Sequence, residues 1–286
     1  MKIGMLTGIW HIAEKASLVQ SLRRAADLGF RYVDLHGVFH GGPSHLDAAG
    51  RKAVKDELNA LGLTPRNYVL HPPYNLASAS EAELEYCHAF MQEGIQMALS
   101  WGVNQLELNV GQWVYGLPRQ TCWEKAVRFL QRLCDYAAER DFYIAIESEP
   151  YAWFIVNDLA STVRMLADVD RQNFTVLIDL GHLALERQSP PELQQIADVI
   201  INAHFSDHKP YQHTNQVIGT GITPTADYLE MLRQMDIDRR MQRFGYDEFL
   251  VSFELGMPGD QIQDPDDWVR RSLQHVLEIA PYMSLG

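Results

Sequence analysis

The stretch Phe174-Thr-Val-Leu-Ile-Asp-Leu-Gly-His182 decides how the rest of the chain is interpreted. Its first five residues are apolar or β-branched, which is typical of a strand buried on both faces of a parallel sheet. The strand ends in Asp179, and His182 follows three residues later. A carboxylate and an imidazole at the end of a buried strand can reach a common point just beyond it. Alternatively, Asp179 caps the next helix and His182 faces solvent, because aspartate is a frequent N-cap residue.

Strand and helix patterns alternate along the whole chain. The predicted strands are residues 2–9, 31–35, 66–70, 104–110, 142–148, 174–179, 199–205 and 249–254. The predicted helices are residues 14–28, 44–61 with Ser44 as N-cap, 80–101, 118–140, 157–168, 190–197, 224–236 and 266–280. Eight strand–helix units predict parallel strands joined by right-handed crossovers, and at this length they favour one closed (β/α)8 TIM barrel over residues 1–286. No Gly-x-Gly-x-x-Gly follows the first strand, so a dinucleotide-binding fold lacks its main support.

Helix ends carry recognisable signals. Gly29, Gly62 and Gly102 each follow the last apolar residue of a predicted helix and precede a strand by two or three residues, as expected of C-terminal glycine caps. Ser80 and Glu83 have the spacing of a capping box at the start of the fourth helix. These signals support the element boundaries.

Composition limits the class of protein. The chain has 286 residues, 47% of them hydrophobic, and a formal net charge of −13. Such an acidic chain does not favour a nucleic-acid partner, which needs a basic face. Three scattered cysteines, an N-terminus without a secretion-signal pattern and no apolar run of membrane-spanning length predict a cytoplasmic protein without a membrane partner. No linker or low-complexity segment divides the chain.

The carboxyl ends of the predicted strands carry polar residues. In a (β/α)8 barrel this is where reactive side chains lie. In chain order the strand ends supply Asp34 and His36, His71, Glu107 and Asn109, Glu147 and Glu149, Asp179 and His182, His204 with Asp207 and His208, and Glu254. Any one of them could simply be the first residue of a loop.

Four of these residues end successive strands of one half of the barrel: Glu147, Asp179, His204 and Glu254. Three carboxylates that close to one another would repel at neutral pH unless a cation balanced them. Carboxylate and imidazole ligands suit one divalent ion of Mn²⁺, Mg²⁺, Co²⁺, Fe²⁺ or Zn²⁺. The sequence therefore predicts a metal site with these four ligands.

The chain resembles the xylose isomerase-like TIM barrels, which include sugar isomerases and epimerases, inosose isomerases and dehydratases and, more distantly, endonuclease IV. The resemblance extends over nearly the whole chain. The motifs that carry it are Ile-Ala-Ile-Glu-Ser-Glu-Pro (144–150), Leu-Ile-Asp-Leu-Gly-His (177–182), Ala-His-Phe-Ser-Asp (203–207), Ile-Gly-Thr-Gly (218–221) and Val-Ser-Phe-Glu (251–254).

The resemblance implies roles for individual residues. By analogy with ketose 3-epimerases, Glu147 and Glu254 would exchange the substrate proton as well as bind the metal, and His182 would bind substrate. Glu149 is an alternative to Glu147, which the Ile-Ala-Ile-Glu motif favours. The implied activity is a metal-dependent isomerase or epimerase of carbohydrate metabolism that acts on a small sugar or polyol through an enediolate.

The chain departs from the ketose 3-epimerase pattern at two positions. Trp153 stands where those enzymes carry a second glutamate, and Pro210 stands where they carry an arginine. The substrate is therefore expected to differ from a free ketohexose. Lys209 is the only obvious cation near the last strands, which favours an uncharged substrate.

Endonuclease IV shares a motif resembling His71-Pro-Pro-Tyr-Asn-Leu-Ala-Ser78, but its further zinc ligands are replaced here by Asn109 and by the segment 213–215. A nuclease is therefore not favoured, and His71 becomes a predicted substrate contact or a ligand of a second metal. A dehydratase or lyase, and a barrel that binds its metal or ligand without catalysis, remain open. The other predicted substrate contacts are Asn109, Trp113, His208 and Lys209, although Trp113 could equally pack within its loop. A homo-oligomer is possible by analogy with the family.

Overall fold

Eight short strands pair in sequence order, each parallel to the next, and the eighth pairs with the first to close a barrel. The computed structural model describes residues 1–78 and 80–286. The strands are β1 (Lys2–Leu6), β2 (Tyr32–His36), β3 (Thr64–Val69), β4 (Gln105–Leu108), β5 (Tyr143–Ile146), β6 (Phe174–Asp179), β7 (Ile200–Phe205) and β8 (Leu250–Phe253). The predicted single (β/α)8 barrel is confirmed.

Helices surround the strands and cover their outer faces. The α-helices are α1 (Gly8–Glu14), α2 (Leu18–Asp27), α3 (Ala48–Leu61), α4 (Glu81–Ser100), α5 (Arg119–Ala138), α6 (Leu159–Val169), α7 (Leu180–Leu185), α8 (Thr225–Gln234), α9 (Ile237–Arg240) and α10 (Pro265–Ile279). A π-helical turn spans Gly37–Gly41, and 3-10 helices span Pro190–Ile196 and Met241–Phe244. No helix among the described residues combines the length and apolar content needed to cross a bilayer.

Strand β6 (Phe174–Asp179) lies where the sequence predicted it. All six residues of β6 are buried, because one face lines the barrel interior and the other is covered by helices. Polar residues also occur inside the barrel: Asn202 on β7 donates to Asp34 Oδ2 on β2 at 2.9 Å. This hydrogen bond joins two non-neighbouring strands across the barrel interior.

The predicted helix ends are confirmed at the glycines. Gly29, Gly62 and Gly102 have φ values of 92°, 64° and 85°, in the left-handed region that favours glycine. The capping box also forms: Ser80 Oγ accepts from Glu83 N, and Ser80 N donates to Glu83 Oε2 at 2.7 Å.

Several predicted boundaries were wrong. The first strand ends at Leu6 instead of residue 9, because the chain turns into α1 at Gly8. The second helix begins at Leu18 after a Ser17 capping box, and not at residue 14. Asp47, rather than Ser44, caps α3, and the predicted helix 190–197 is a 3-10 helix. Short helices such as α1 and α7 add to the eight that were predicted, because a one- or two-turn helix carries too little periodicity to be recognised.

The Ser80 cap supports a stability prediction. We expect Ser80→Ala to lower the free energy of unfolding by about 1 kcal/mol, because the backbone N–H of Glu83 loses its acceptor and the Glu83 carboxylate loses the hydrogen bond from Ser80 Oγ. Ser80→Asp is the matched control, since its carboxylate can still accept from Glu83 N. Urea unfolding of the three proteins measures the difference, and equal stability of Ser80→Ala and wild type would contradict the assigned cap.

Candidate functional site

Four of the predicted site residues meet at the carboxyl ends of β5 to β8. Glu147 directly follows β5, Asp179 ends β6, His204 lies near the end of β7, and Glu254 directly follows β8. One side-chain oxygen or nitrogen from each residue lies within 4.8 Å of the atoms offered by the other three. Glu147, Asp179 and His204 are buried, and Glu254 is partly buried at the edge of a cavity.

Each of the four residues presents a buried atom that has no hydrogen-bond partner among the described residues. These atoms are Glu147 Oε1, Asp179 Oδ2, Glu254 Oε2 and both ring nitrogens of His204. His204 Nδ1 lies 3.0 Å from Glu254 Oε2 and 3.5 Å from Glu147 Oε1, but it is not aligned to donate well to either. Buried polar atoms without partners are rare and costly, so this convergence points to a ligand that the four residues share.

Asp179 caps the next helix, as one of the two alternatives predicted, but His182 is buried and does not face solvent. Asp179 Oδ1 accepts from Gly181 N at 2.7 Å and from His182 N at 2.9 Å, so it caps α7. The same oxygen accepts from Ser206 Oγ. Oδ2 is left free to face Glu147, His204 and Glu254. The cap therefore fixes the carboxylate in the orientation that a metal ligand needs.

His208 helps to orient Asp179 through the hydroxyl group of Ser206. Its Nδ1 accepts from the backbone N–H groups of Thr214 and Asn215 at 3.1 and 3.2 Å. The ring proton is therefore on Nε2, which donates to Ser206 Oγ at 2.9 Å, and Ser206 in turn donates to Asp179. Burial and the nearby His182 lower the pKa of His208 to about 2, so it is neutral. His208 lies close to His182 and His213, but both of its nitrogens are already engaged, so these three imidazoles are a poor metal site.

Neighbouring side chains also orient Glu254 and His204, at the ends of β8 and β7. Asn215 Nδ2 donates to Glu254 Oε1 at 3.1 Å, which leaves Oε2 of that carboxylate free. His204 Nε2 faces Asp34 Oδ2 at 3.5 Å, and a carboxylate behind an imidazole is the usual arrangement that directs the opposite ring nitrogen towards a metal.

The electrostatics of the cluster reflect its crowding. Burial raises the pKa of Glu147 well above its usual range, and the charge of Glu107 raises it further. Burial also raises the pKa of Asp179. For Glu254 the effect of burial is outweighed by His204, which lowers the pKa of this carboxyl well below its usual range. Burial lowers the pKa of His204, but Asp34, Glu147 and Glu254 together raise it well above the ordinary value. The single imidazole of His204 thus lies among several carboxylates. A divalent cation would balance the negative charge that this imidazole leaves uncompensated.

His182 lies beside this cluster. Its Nδ1 donates to the carbonyl oxygen of Ser148 at 2.8 Å, and its Nε2 lies 3.0 Å from His213 Nε2. Burial opposes protonation of His182, but Asp179 and Glu147 raise its pKa to about 10. Both His182 and His213 line the cavity, so both can contact a bound molecule.

A second group of polar residues forms the wall at β3, β4 and β5. Asn109 Oδ1 accepts from Gly111 N, so its Nδ2 faces His71 Nδ1 at 3.3 Å and Glu149 Oε1 at 3.0 Å. His71 Nε2 lies 3.5 Å from Glu107 Oε1. Glu149 therefore belongs to this wall, whereas Glu147 belongs to the four-residue cluster.

These residues enclose a cavity of about 370 Å³. Its acidic lining residues are Glu107, Glu147, Glu149 and Glu254, and no lysine or arginine of the described chain lines it. Of the predicted substrate contacts, His182, His71 and Asn109 line the cavity, whereas Trp113, His208 and Lys209 do not. Trp113 packs near Arg119, with the guanidinium 5.1 Å from its ring, and Lys209 is exposed.

Two histidines of the cavity lining, His36 and His213, were not predicted as substrate contacts. His36 was noted only as a strand end, although its ring lies in the cavity wall. His213 was noted only as a departure from endonuclease IV. The strand-end pattern could have selected His36, but it gave no sign that the loop after β7 folds back to bring His213 to the site.

Comparison with known proteins agrees with the barrel fold. Residues 22–279 match the model of a family described as xylose isomerase-like TIM barrels. A D-allulose 3-epimerase from Methylomonas sp. superposes with a TM-score of 0.79 at 20% identity over 98% of both chains. A protein called IOLI, solved with a bound zinc atom, gives 0.80 at 15% identity over 99% of both chains. The probable 3-DHS dehydratase AsbF from Bacillus anthracis gives 0.74 at 17% identity over 97% of this chain and 99% of that one. No curated protein matches the chain.

Glu186 is a further acid close to the site, at the C-terminal end of α7. The residue is partly buried, both of its carboxylate oxygens are shielded from solvent, and Ser148 is the polar side chain nearest to them. Burial raises its pKa from 4.5 to about 7. Its position after a six-residue helix follows no sequence pattern, so this residue could not be identified from the sequence.

Glu186 predicts a dependence of stability on pH. As the pH rises from 4.5 to 7, the unfolded chain releases this proton while the folded protein keeps it, so the folded protein loses stability. The loss is expected to reach about 3 kcal/mol by pH 8, and Glu186→Gln is expected to avoid it.

Urea unfolding of wild type and Glu186→Gln at pH 4.5 and pH 8, with chelator present, measures the effect. Glu139→Gln, which changes an exposed glutamate, is the control. A difference between wild type and Glu186→Gln that is the same at both pH values would contradict the assignment.

Proposed function

This chain belongs to the xylose isomerase-like TIM barrel family, and on that premise we propose that it is a divalent-metal-dependent isomerase or epimerase of a small, uncharged sugar or polyol. The observation that carries the proposal is the convergence of four strand-end residues whose buried ligand atoms have no other partner. A barrel that only needed stability would gain nothing from three carboxylates facing one another.

The donor set fits a divalent cation. Carboxylate oxygens and one imidazole nitrogen are the ligands that Mn²⁺, Mg²⁺, Co²⁺, Fe²⁺ and Zn²⁺ accept, and Glu147, Asp179, His204 and Glu254 would hold the ion. When bound, the ion would polarise a substrate carbonyl and stabilise negative charge on the enediolate oxygens. The zinc atom bound to IOLI, a structural neighbour, is consistent with this assignment.

The glutamates at β5 and β8 are the proposed acid and base. β6 and β7 separate these two strands, so Glu147 and Glu254 approach a bound substrate from different sides. One carboxylate can remove a proton from the carbon next to the carbonyl while the other returns a proton, and their roles reverse when the reaction runs backwards. His182 and His213 lie within the cavity to position the hydroxyl groups.

The charge of the cavity supports an uncharged substrate. Phosphate and carboxylate groups are usually bound by arginine, lysine or backbone N–H groups. The described residues that line this cavity include four glutamates and neither of these cations. Lys209 is exposed, away from the cavity lining. The same acidic lining does not favour a nuclease, which must hold phosphates.

A dehydratase is the second candidate, because removal of a proton beside a carbonyl also begins the elimination of water. The dehydratase AsbF among the structural neighbours supports its inclusion. The two reactions differ only after the first proton transfer, so the product distinguishes them.

Metal binding is the first test of the proposal. Wild-type protein purified without chelator is expected to carry about one divalent ion per chain, and Asp179→Asn is expected to carry none. The asparagine oxygen can still cap α7, so the fold should survive. At an ion concentration about 100-fold above Kd, the ion should add about 2.7 kcal/mol to the free energy of unfolding of wild type only.

Elemental analysis and thermal unfolding measure both effects. Glu107→Gln is the matched control, because Glu107 is a buried cavity carboxylate outside the four-residue cluster. Wild-type protein that stays metal-free after incubation with Mn²⁺, Co²⁺ and Zn²⁺ would remove the basis of the proposal.

Proton transfer is the second test. Glu147→Gln and Glu254→Gln are each expected to lower kcat by at least about 100-fold, because a positioned acid or base contributes that much to such steps. Incubation of neutral ketoses in deuterated water, followed by NMR, reports exchange at the carbon next to the carbonyl and separates an isomer from a dehydrated product. Glu149→Gln is the comparison variant. Full activity of Glu147→Gln together with loss of activity in Glu149→Gln would contradict the assigned roles.

A further inference from the structure

The cavity has two chemically different halves. The walls at β3 to β8 carry most of the polar side chains, beside apolar residues such as Phe154 and Leu255, whereas the wall formed by β1, β2 and the segments that follow them is largely apolar. The apolar side chains of that wall are Leu6, Ile9, Ile12, Val38 and Phe39. His36 at the end of β2 is the one polar side chain that the described residues between 6 and 39 contribute to the lining.

Hydrogen bonding fixes the tautomer of His36. Nδ1 accepts from Phe39 N at 3.3 Å, so Nδ1 carries no proton and the ring proton is on Nε2. No group among the described residues hydrogen-bonds Nε2. Burial lowers the pKa of His36 well below its ordinary value, and His40 lowers it further, so the ring is neutral.

Packing fixes the orientation of the ring. The imidazole stacks on Phe39, with ring centroids 4.1 Å apart and planes 10° from parallel. The backbone N–H of His36 donates to Thr7 Oγ1 at 3.0 Å. A Cβ atom on Gly8 would lie 2.8 Å from His36 Cδ2, so the ring can occupy this place only because residue 8 is glycine. The π-helical turn that follows, Gly37–Gly41, is a conformation that often occurs at functional sites.

We propose that His36 is a specificity-determining residue whose Nε2–H donates a hydrogen bond to one oxygen of the bound sugar or polyol, on the side of the substrate that faces the apolar wall. A neutral imidazole suits an uncharged hydroxyl or carbonyl oxygen, because it donates without adding charge to the site. As the only donor on an apolar wall, His36 selects substrates that carry an oxygen at that position. A substrate without this oxygen leaves a desolvated N–H without a partner, and that penalty produces the selectivity.

This inference rests on the proposed function for the kind of substrate. The tautomer and protonation of the His36 ring, however, can be measured without any substrate. Histidine-selective ¹⁵N labelling and NMR of the metal-loaded protein at pH 7 test that state directly, and His36→Gln identifies the resonance. The expected spectrum is that of a neutral ring with its proton on Nε2. A ring protonated on Nδ1, or on both nitrogens, would overturn the inference whatever the activity.

Selectivity provides the second measurement. kcat/KM is measured for wild type, His36→Gln and His36→Phe with a panel of uncharged ketoses, aldoses and inososes, and with monodeoxy analogues of the one turned over fastest. Wild type is expected to prefer the parent sugar over one of the analogues by about tenfold or more. His36→Phe should lose that preference, and His36→Gln should keep part of it.

Equal discrimination by all three proteins, at equal metal content, would overturn the role of His36. A purely structural role would lower the activity towards every sugar by the same factor and would also leave discrimination unchanged. Wild-type protein that neither binds nor turns over any member of this panel would count against the proposed function, and the NMR result would then decide the assignment of His36 alone.

Discussion

At the ends of β5 to β8, three carboxylates and one imidazole have buried atoms without hydrogen-bond partners among the described residues. The surrounding residues are arranged so that these atoms stay free. In Asp179 and Glu254, neighbouring groups hydrogen-bond to one carboxylate oxygen and leave the other without a partner. Ser206 and the start of α7 engage Asp179 Oδ1, and Asn215 engages Glu254 Oε1. Because Oδ2 and Oε2 stay free in the same small volume, the four residues could hold the cation that we propose.

The loop after β7 shows how the chain maintains this arrangement. Asp207 accepts backbone N–H groups from both ends of the loop: His208 and Thr223 bond to Oδ1, and Gly219 and Gly221 bond to Oδ2. A Cβ atom on Gly221 would lie 2.3 Å from Asp207 Oδ1, so the Ile-Gly-Thr-Gly turn fits only with glycine there. The Ile-Gly-Thr-Gly motif (218–221), which contributed to the family resemblance, thus has a structural role. It holds the loop that carries His208 and Asn215, and it does not line the cavity.

The sequence predicted the features that are governed by local pattern. Burial of β6, the glycine-ended helices and the Ser80 cap all followed from periodicity and capping chemistry, and the geometry of a parallel barrel then placed the strand ends together. Features that depend on tertiary contacts could not be predicted. The path of the loop that brings His213 to the cavity, the burial of the Glu186 carboxylate and the tautomer of His36 each depend on segments distant in sequence or on the shape of a turn. Resemblance to the family favoured Glu147 over Glu149, and the structure adds the physical distinction, because Asn109 engages Glu149.

The most direct test of this account is a crystal structure of the protein grown with Zn²⁺, with the ion located from its anomalous signal. The account predicts one strong peak at the ends of β5 to β8, about 2.0–2.2 Å from atoms of Glu147, Asp179, His204 and Glu254. A peak among the imidazoles of His182, His208 and His213, or no peak at the four strand ends, would contradict it.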